Sequence, residues 1–186
     1  EMNALWSDAC RTAEVLRFDR MAAQRLIDDR ESRIALTIPS AQGNVVLDLY
    51  RVDVLADDFT MRIASTGESV HPSPSVHYRG SIRGQVGSIA SVSVFPDEMM
   101  ALLSDASGER ILGRFDRAPK ELLVSYHERD LLGTPPGGCG TADRAHSHAM
   151  GEIRSGQSTT IRCVRWYWEV AHDIVLNKGG VTNAAN

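Results

Sequence analysis

The sequence predicts a mainly β fold: an antiparallel β-rich unit with one short helix near the N-terminus, then a flexible linker and a strong strand towards the C-terminus. Three observations predict it. Between residues 33 and 126, apolar residues recur at every second position in short runs. Those runs are separated by turns bearing Gly, Pro, Asn and Ser. Helical spacing takes over in the stretch after Asp19.

The elements follow in order. Leu16-Arg-Phe-Asp19 reads as a short strand running into a helix, with Asp19 as its N-cap. Phe18, Ala22 and Leu26 share one helical face, Ala23 and Ile27 flank it, and the pattern fades at Asp28-Asp-Arg30. Ile34, Leu36 and Ile38 alternate with Arg33, Ala35 and Thr37 until Pro39, and Ala41-Gln-Gly-Asn44 supplies a hairpin turn. Val45 to Leu55 reads as one long strand. Its apolar face switches from odd to even positions near Tyr50, which predicts a bulge or a strong twist. Phe59, Met61 and Ile63 predict a further strand, and Ser65 to Ser75 a polar loop.

His77 to Gly84 and Ser88 to Phe95 then read as paired strands around Gln85-Val-Gly87. In the second, Ala90, Val92 and Val94 face one way, Ser91 and Ser93 the other. Met99 to Leu103, Arg110 to Phe115 and Glu121 to Tyr126 continue the meander. The predicted organisation is a β-rich domain over 1–129, a linker over 130–160, and a last segment over 161–186. In that segment Val164, Trp166, Trp168 and Val170 line one face of a strand whose two Trp demand a large partner surface. Glu169, His172 and Asp173 read as the end of that strand and the start of a turn.

Composition excludes some functions. A net charge of −4 with no basic block argues against nucleic acid. No apolar run is long enough to cross a membrane as a helix. No basic and apolar leader follows Glu1. The chain carries three cysteines, Cys10, Cys139 and Cys163, so they cannot all pair with one another.

Cys139 stands out. It lies in Thr134-Pro-Pro-Gly-Gly-Cys-Gly140, the loosest stretch of the chain, whereas a cysteine kept for packing belongs in a regular element. Read from the residues alone it is a metal ligand, an incidental exposed thiol, or half of a disulfide with Cys163 or Cys10. Cys163 sits on the strand face opposite the tryptophans and reads as structural. His146 and His148 lie nearby, but their spacing from Cys139 matches no standard zinc motif.

Two segments together carry a resemblance. His77-Tyr-Arg-Gly80 followed by Ser88-Ile-Ala-Ser-Val-Ser-Val94 resembles the prodomain of reprolysin/adamalysin-like (metzincin) zinc metallopeptidases, with its aromatic-x-Gly turn and serine- and valine-rich strand. Val164 to Thr182, which contains Asn177-Lys-Gly-Gly180, resembles the opening of the catalytic domain in bacterial secreted members. Ala171, His172 and Val175 depart from that pattern, which has an acidic and two aromatic residues there. The resemblance implies that residues 161–186 begin an α/β metallopeptidase domain, truncated in this chain, and that the protein is secreted.

It also implies a role for Cys139 as a cysteine switch, an inhibitory thiolate on the catalytic zinc. Zinc in such enzymes keeps three protein ligands and one open position for water. A thiolate there displaces the water that would become the nucleophile. Gly138 and Gly140 would let the backbone enter a narrow cleft, and Pro135 and Pro136 would stiffen its approach. The zinc would belong to the catalytic domain. No histidine among residues 71, 77, 127, 146, 148 and 172 opens an H-E-x-x-H motif, so this chain is expected to be inactive alone. Arg144 and Arg154 in the linker are the candidate processing sites. The expected partners are the protein's own catalytic domain and, for the parent enzyme, protein substrates. The rival reading is a stand-alone extracellular β-rich binding module, or an inactive relative without protease activity.

Overall fold

The computed structural model describes residues 6–115, 118–133, 170, 172–178 and 180. Its main body is one antiparallel sheet of eight strands in the order β1-β10-β9-β8-β7-β6-β3-β2. The fold is mainly β, as the alternation predicts.

β1 (Glu14–Arg17) leads into α1 (Arg20–Asp29). The Asp19 carboxylate accepts a hydrogen bond from the Ala22 amide at 3.0 Å, satisfying one of the unpaired amides of the first turn. Arg30 ends the helix in the left-handed conformation, its amide bonded to the Leu26 carbonyl. Ala23 and Ile27, the flanking positions of the predicted stripe, are the helix residues most deeply buried, and Leu26 is half-buried beside them.

β2 (Arg33–Ile38) and β3 (Val45–Val52) form the predicted hairpin, with Gly43 at φ 116° in its turn. β3 then pairs with β6 (Val76–Ile82), which pairs with β7 (Ile89–Val94). The β3–β6 register runs unbroken from Leu47 to Val52, so the bulge predicted near Tyr50 does not form. The apolar switch marks the end of the strand: Val54 and Leu55 are exposed beyond it. The predicted strand around Phe59 shrinks to β4 (Met61–Arg62), paired with β5 (Ser69–Val70) inside the supposed polar loop. β8 (Met99–Asp105), β9 (Gly108–Arg114) and β10 (Leu122–His127) complete the meander, and β10 closes on β1.

The sheet curls round a core in which Leu47, Val76, Tyr78 and Ala90 are wholly inaccessible. α1 lies against β7 and contributes Ala23 and Ile27 to that core, beside Phe18. Burial of this apolar surface is the main stabilising term. Against it stands the Tyr78 hydroxyl, buried without a hydrogen-bond partner among the described residues.

The edge strands β1 and β2 meet at one corner. One oxygen of the Glu14 carboxylate accepts from Ser40 Oγ and from the Ala41 amide, both at 3.0 Å. The strand registers set the two ends of the sheet apart. α1 joins β1 to β2 at one end; at the other lie the start of β1, three tight turns and the end of β10.

Candidate functional site

The residues on which the metallopeptidase reading rests, Cys139 with Pro135, Pro136, Gly138 and Gly140, lie outside the described residues. So do Arg144, Arg154, His146, His148, Cys163 and the predicted strand up to Glu169. What is described is the place from which that segment departs. After β10 a 3-10 turn, Glu128–Asp130, carries the chain to Leu131. Leu131 forms an isolated antiparallel bridge with Cys10. The Arg11 amide donates to the Asp130 carbonyl at 2.7 Å, and the Leu132 amide to the Ala9 carbonyl at 2.8 Å. Residues 6–12 therefore clamp the chain shortly before Cys139, with Trp6 and Cys10 buried.

Cys10 is part of that clamp and not a reagent. Its thiol is free, 4% exposed, and donates to the Thr12 carbonyl at 2.9 Å. Burial pushes its pKa up, which disfavours the nucleophilic thiolate. Among the described residues Cys10 forms no disulfide, and Cys139 and Cys163 lie outside them. We expect native protein at neutral pH to spare Cys10 from a thiol-specific reagent and to expose it on unfolding. Mass mapping of the modified peptides checks this, and rapid native labelling of Cys10 would contradict it.

At the C-terminal side, His172 opens a short helix, α2 (His172–Asn177), where the sequence pointed to a turn. The Asn-Lys-Gly-Gly stretch ends it. The Lys178 amide donates to the Ile174 carbonyl and the Gly180 amide to that of Val175, with Gly180 at φ 133°, a conformation only glycine adopts freely. Val170, the described residue of the predicted tryptophan face, is 44% exposed.

The His77-Tyr-Arg-Gly80 stretch lies within β6, paired with β7 across a turn at residues 83–88, as the alternation predicts; the aromatic-x-Gly turn that the resemblance implies is not formed there. Two serines that periodicity could only mark as outward-facing or loop residues converge on His77. Its Nδ1 lies 2.9 Å from Ser93 Oγ, across the sheet, and its Nε2 3.1 Å from Ser75 Oγ. Phe95 packs edge-on at 5.9 Å between ring centroids. Burial, helped by the Arg30 charge, holds His77 below its ordinary pKa of 6.5.

The unfolded chain therefore takes up this proton near pH 6.5 and the folded chain only at lower pH. Stability present above pH 6.5 is lost as pH falls through the folded-state value. Urea unfolding at stepwise lower pH should show this loss, and His77→Gln should flatten it. An unchanged slope in the variant would show that other groups carry the acid sensitivity.

Among the described residues, no group of three or more His, Cys, Asp or Glu could hold a metal ion. No ligand set for a catalytic zinc is found among them. Among the same residues, no helix is long and apolar enough to cross a membrane. Compared with known proteins, the chain matches no family model and no curated relative.

Proposed function

We propose that this chain is the N-terminal part of a secreted zinc metalloendopeptidase precursor, and that its β-rich region keeps the protease latent. The observation that carries the reading is Cys139 in its Pro-Pro-Gly-Gly-Cys-Gly setting, between segments resembling a metzincin prodomain and the start of its catalytic domain. The clamp at Cys10 and Leu131 supports it by fixing the origin of the Cys139 segment on a folded body. A tether held at its base loses less entropy on reaching its target than a free peptide does.

In this reading the catalytic domain of the same precursor holds the zinc, which when bound supplies a Lewis acid for peptide hydrolysis. This chain's part is to deliver one sulfur ligand and to exclude water from the open position. Gly138 and Gly140 give that sulfur access without Cβ atoms on either side. Cleavage at Arg144 or Arg154 would separate inhibitor from enzyme. The β-rich region would also assist folding of the catalytic domain.

The test is inhibition in trans. The chain, added to the mature protease of the same precursor, is expected to inhibit it to completion near equimolar ratio at micromolar concentrations. Full activity in a large excess of folded chain would overturn the reading and leave a β-rich binding module.

A further inference from the structure

In an antiparallel sheet with one face on a core, the opposite face is normally polar, because water solvates it. Half of this sheet obeys. On its outer face a row runs across β2, β3 and β6 through Arg33, Tyr50 and Arg79, and both arginines are exposed. The same row continues across β7, β8 and β9 through Ser91, Leu102 and Ile111, and there the charges stop. The rows on either side read alike, with Ser93 beside Met100 and Ile89 beside Ser104. Ile89 is 64% exposed, Leu102 44% and Met100 40%. Charges return at the rim, at Arg79 on β6 and at Glu109 beside Ser104.

Single exposed aliphatic side chains are ordinary, but a contiguous uncharged group of them marks an interaction site. Serines between the aliphatic groups leave no charge to be stripped of water when the face is covered. Its size bears on the occupant. Four partly covered aliphatic side chains present well short of the roughly 800 Å² that each partner of a stable complex contributes. A free partner or a second copy would be held weakly. A domain joined to the same chain needs less contact, because linkage raises its local concentration to about millimolar.

The face also lies beside the place where such a domain is tethered. Ile111 pairs with Tyr126 on β10, and the chain runs on through the 3-10 turn to Leu131, the residue held by Cys10. Leu102 is two strands from β10, about 10 Å at the usual strand spacing. Residues 134–160 can cross that distance many times over, since an extended chain spans up to about 3.5 Å per residue.

We propose that the outer face of β7–β9 is where the domain beginning at residue 161 docks. The occupant is the catalytic domain of the reading above, on which this assignment rests. Docking there fixes the far end of the Cys139 segment, so the thiol does not have to hold the zinc unaided.

Ser91→Cys is the probe, and Thr37→Cys, exposed on β2, is the control. Maleimide labelling of each, mapped by mass to set aside the native cysteines, is timed in this chain and in the intact precursor. Ser91→Cys should react at least about tenfold more slowly in the precursor, and Thr37→Cys equally fast in both. Leu102→Glu and Leu102→Arg should each weaken inhibition of the mature protease about tenfold or more, since a charge of either sign would be covered unpaired. Equal labelling of Ser91→Cys in both proteins would overturn the proposal, and so would undiminished inhibition by both Leu102 variants. Labelling in the isolated chain that slows as concentration rises would make a second copy the occupant and overturn it too. Failure of the wild-type chain to inhibit would remove the protease reading alone. Shielding of Ser91→Cys would then still establish the docking face, and equal labelling would remove that as well.

Discussion

Replacing Gly80 by alanine should destabilise the protein by about 3 kcal/mol or more, at the upper end of what overpacking costs. Gly80 lies in the middle of β6, paired with Leu49 on one side and Ala90 on the other. A Cβ built there would sit 1.9 Å from the Asp48 carbonyl oxygen, 2.9 Å from its carbon and 3.0 Å from the Leu49 Cα. All three are backbone atoms of β3, so no side chain can swing aside. Relief requires β3 and β6 to part, and the pairs from Leu47–Ile82 to Val52–His77 are at stake. In a chain of this size the melting temperature should fall by roughly 6–12 °C.

Gly84→Ala is the control. Gly84 has φ 79° in the next turn, with nothing near its absent Cβ, so only the backbone penalty of about 1–2 kcal/mol applies. Equal losses at the two positions would mean that the close approach of β3 does not constrain Gly80.

Cys139→Ser should weaken inhibition of the mature protease at least about 100-fold, while the melting temperature of the chain stays unchanged. Removing an outer-shell partner of a metal typically costs 10–100-fold, and loss of a direct sulfur ligand should exceed that. A serine hydroxyl keeps the size of the side chain but remains protonated at neutral pH. It replaces a soft anionic ligand with a weak neutral one. Equal inhibition by both forms would place latency in steric occlusion by the β-rich region and not in the thiol.

Much of the fold could be read along the chain, because its cues are local. Asp19 caps the helix it was expected to cap. Ala90, Val92 and Val94 alternate into the core, where each is at most 1% exposed. The errors have physical causes. At Tyr50 the change of apolar parity marked a strand end, since apolar residues beyond Val52 simply lie exposed. The β4–β5 pair is too short for periodicity to register, and the turn between them holds it, with the Gly67 amide bonded to the Ile63 carbonyl. α2 was hidden by its brevity.

The sites divide the same way. The Cys139 segment announces itself by composition. The contacts of His77 with Ser93, the clamp at Cys10 and the uncharged face over Ile89, Leu102 and Ile111 join residues from separate elements, and each side chain alone looks ordinary. Gly80 lies between these cases. The sequence marked it as part of a pattern, and the approach of the Asp48 carbonyl supplies the reason.

The most direct measurement is zinc-edge X-ray absorption on the intact, zinc-loaded precursor. One sulfur scatterer is expected at about 2.3 Å, replaced by a nitrogen or oxygen neighbour in Cys139→Ser. A latent precursor whose zinc sees only nitrogen and oxygen would contradict it.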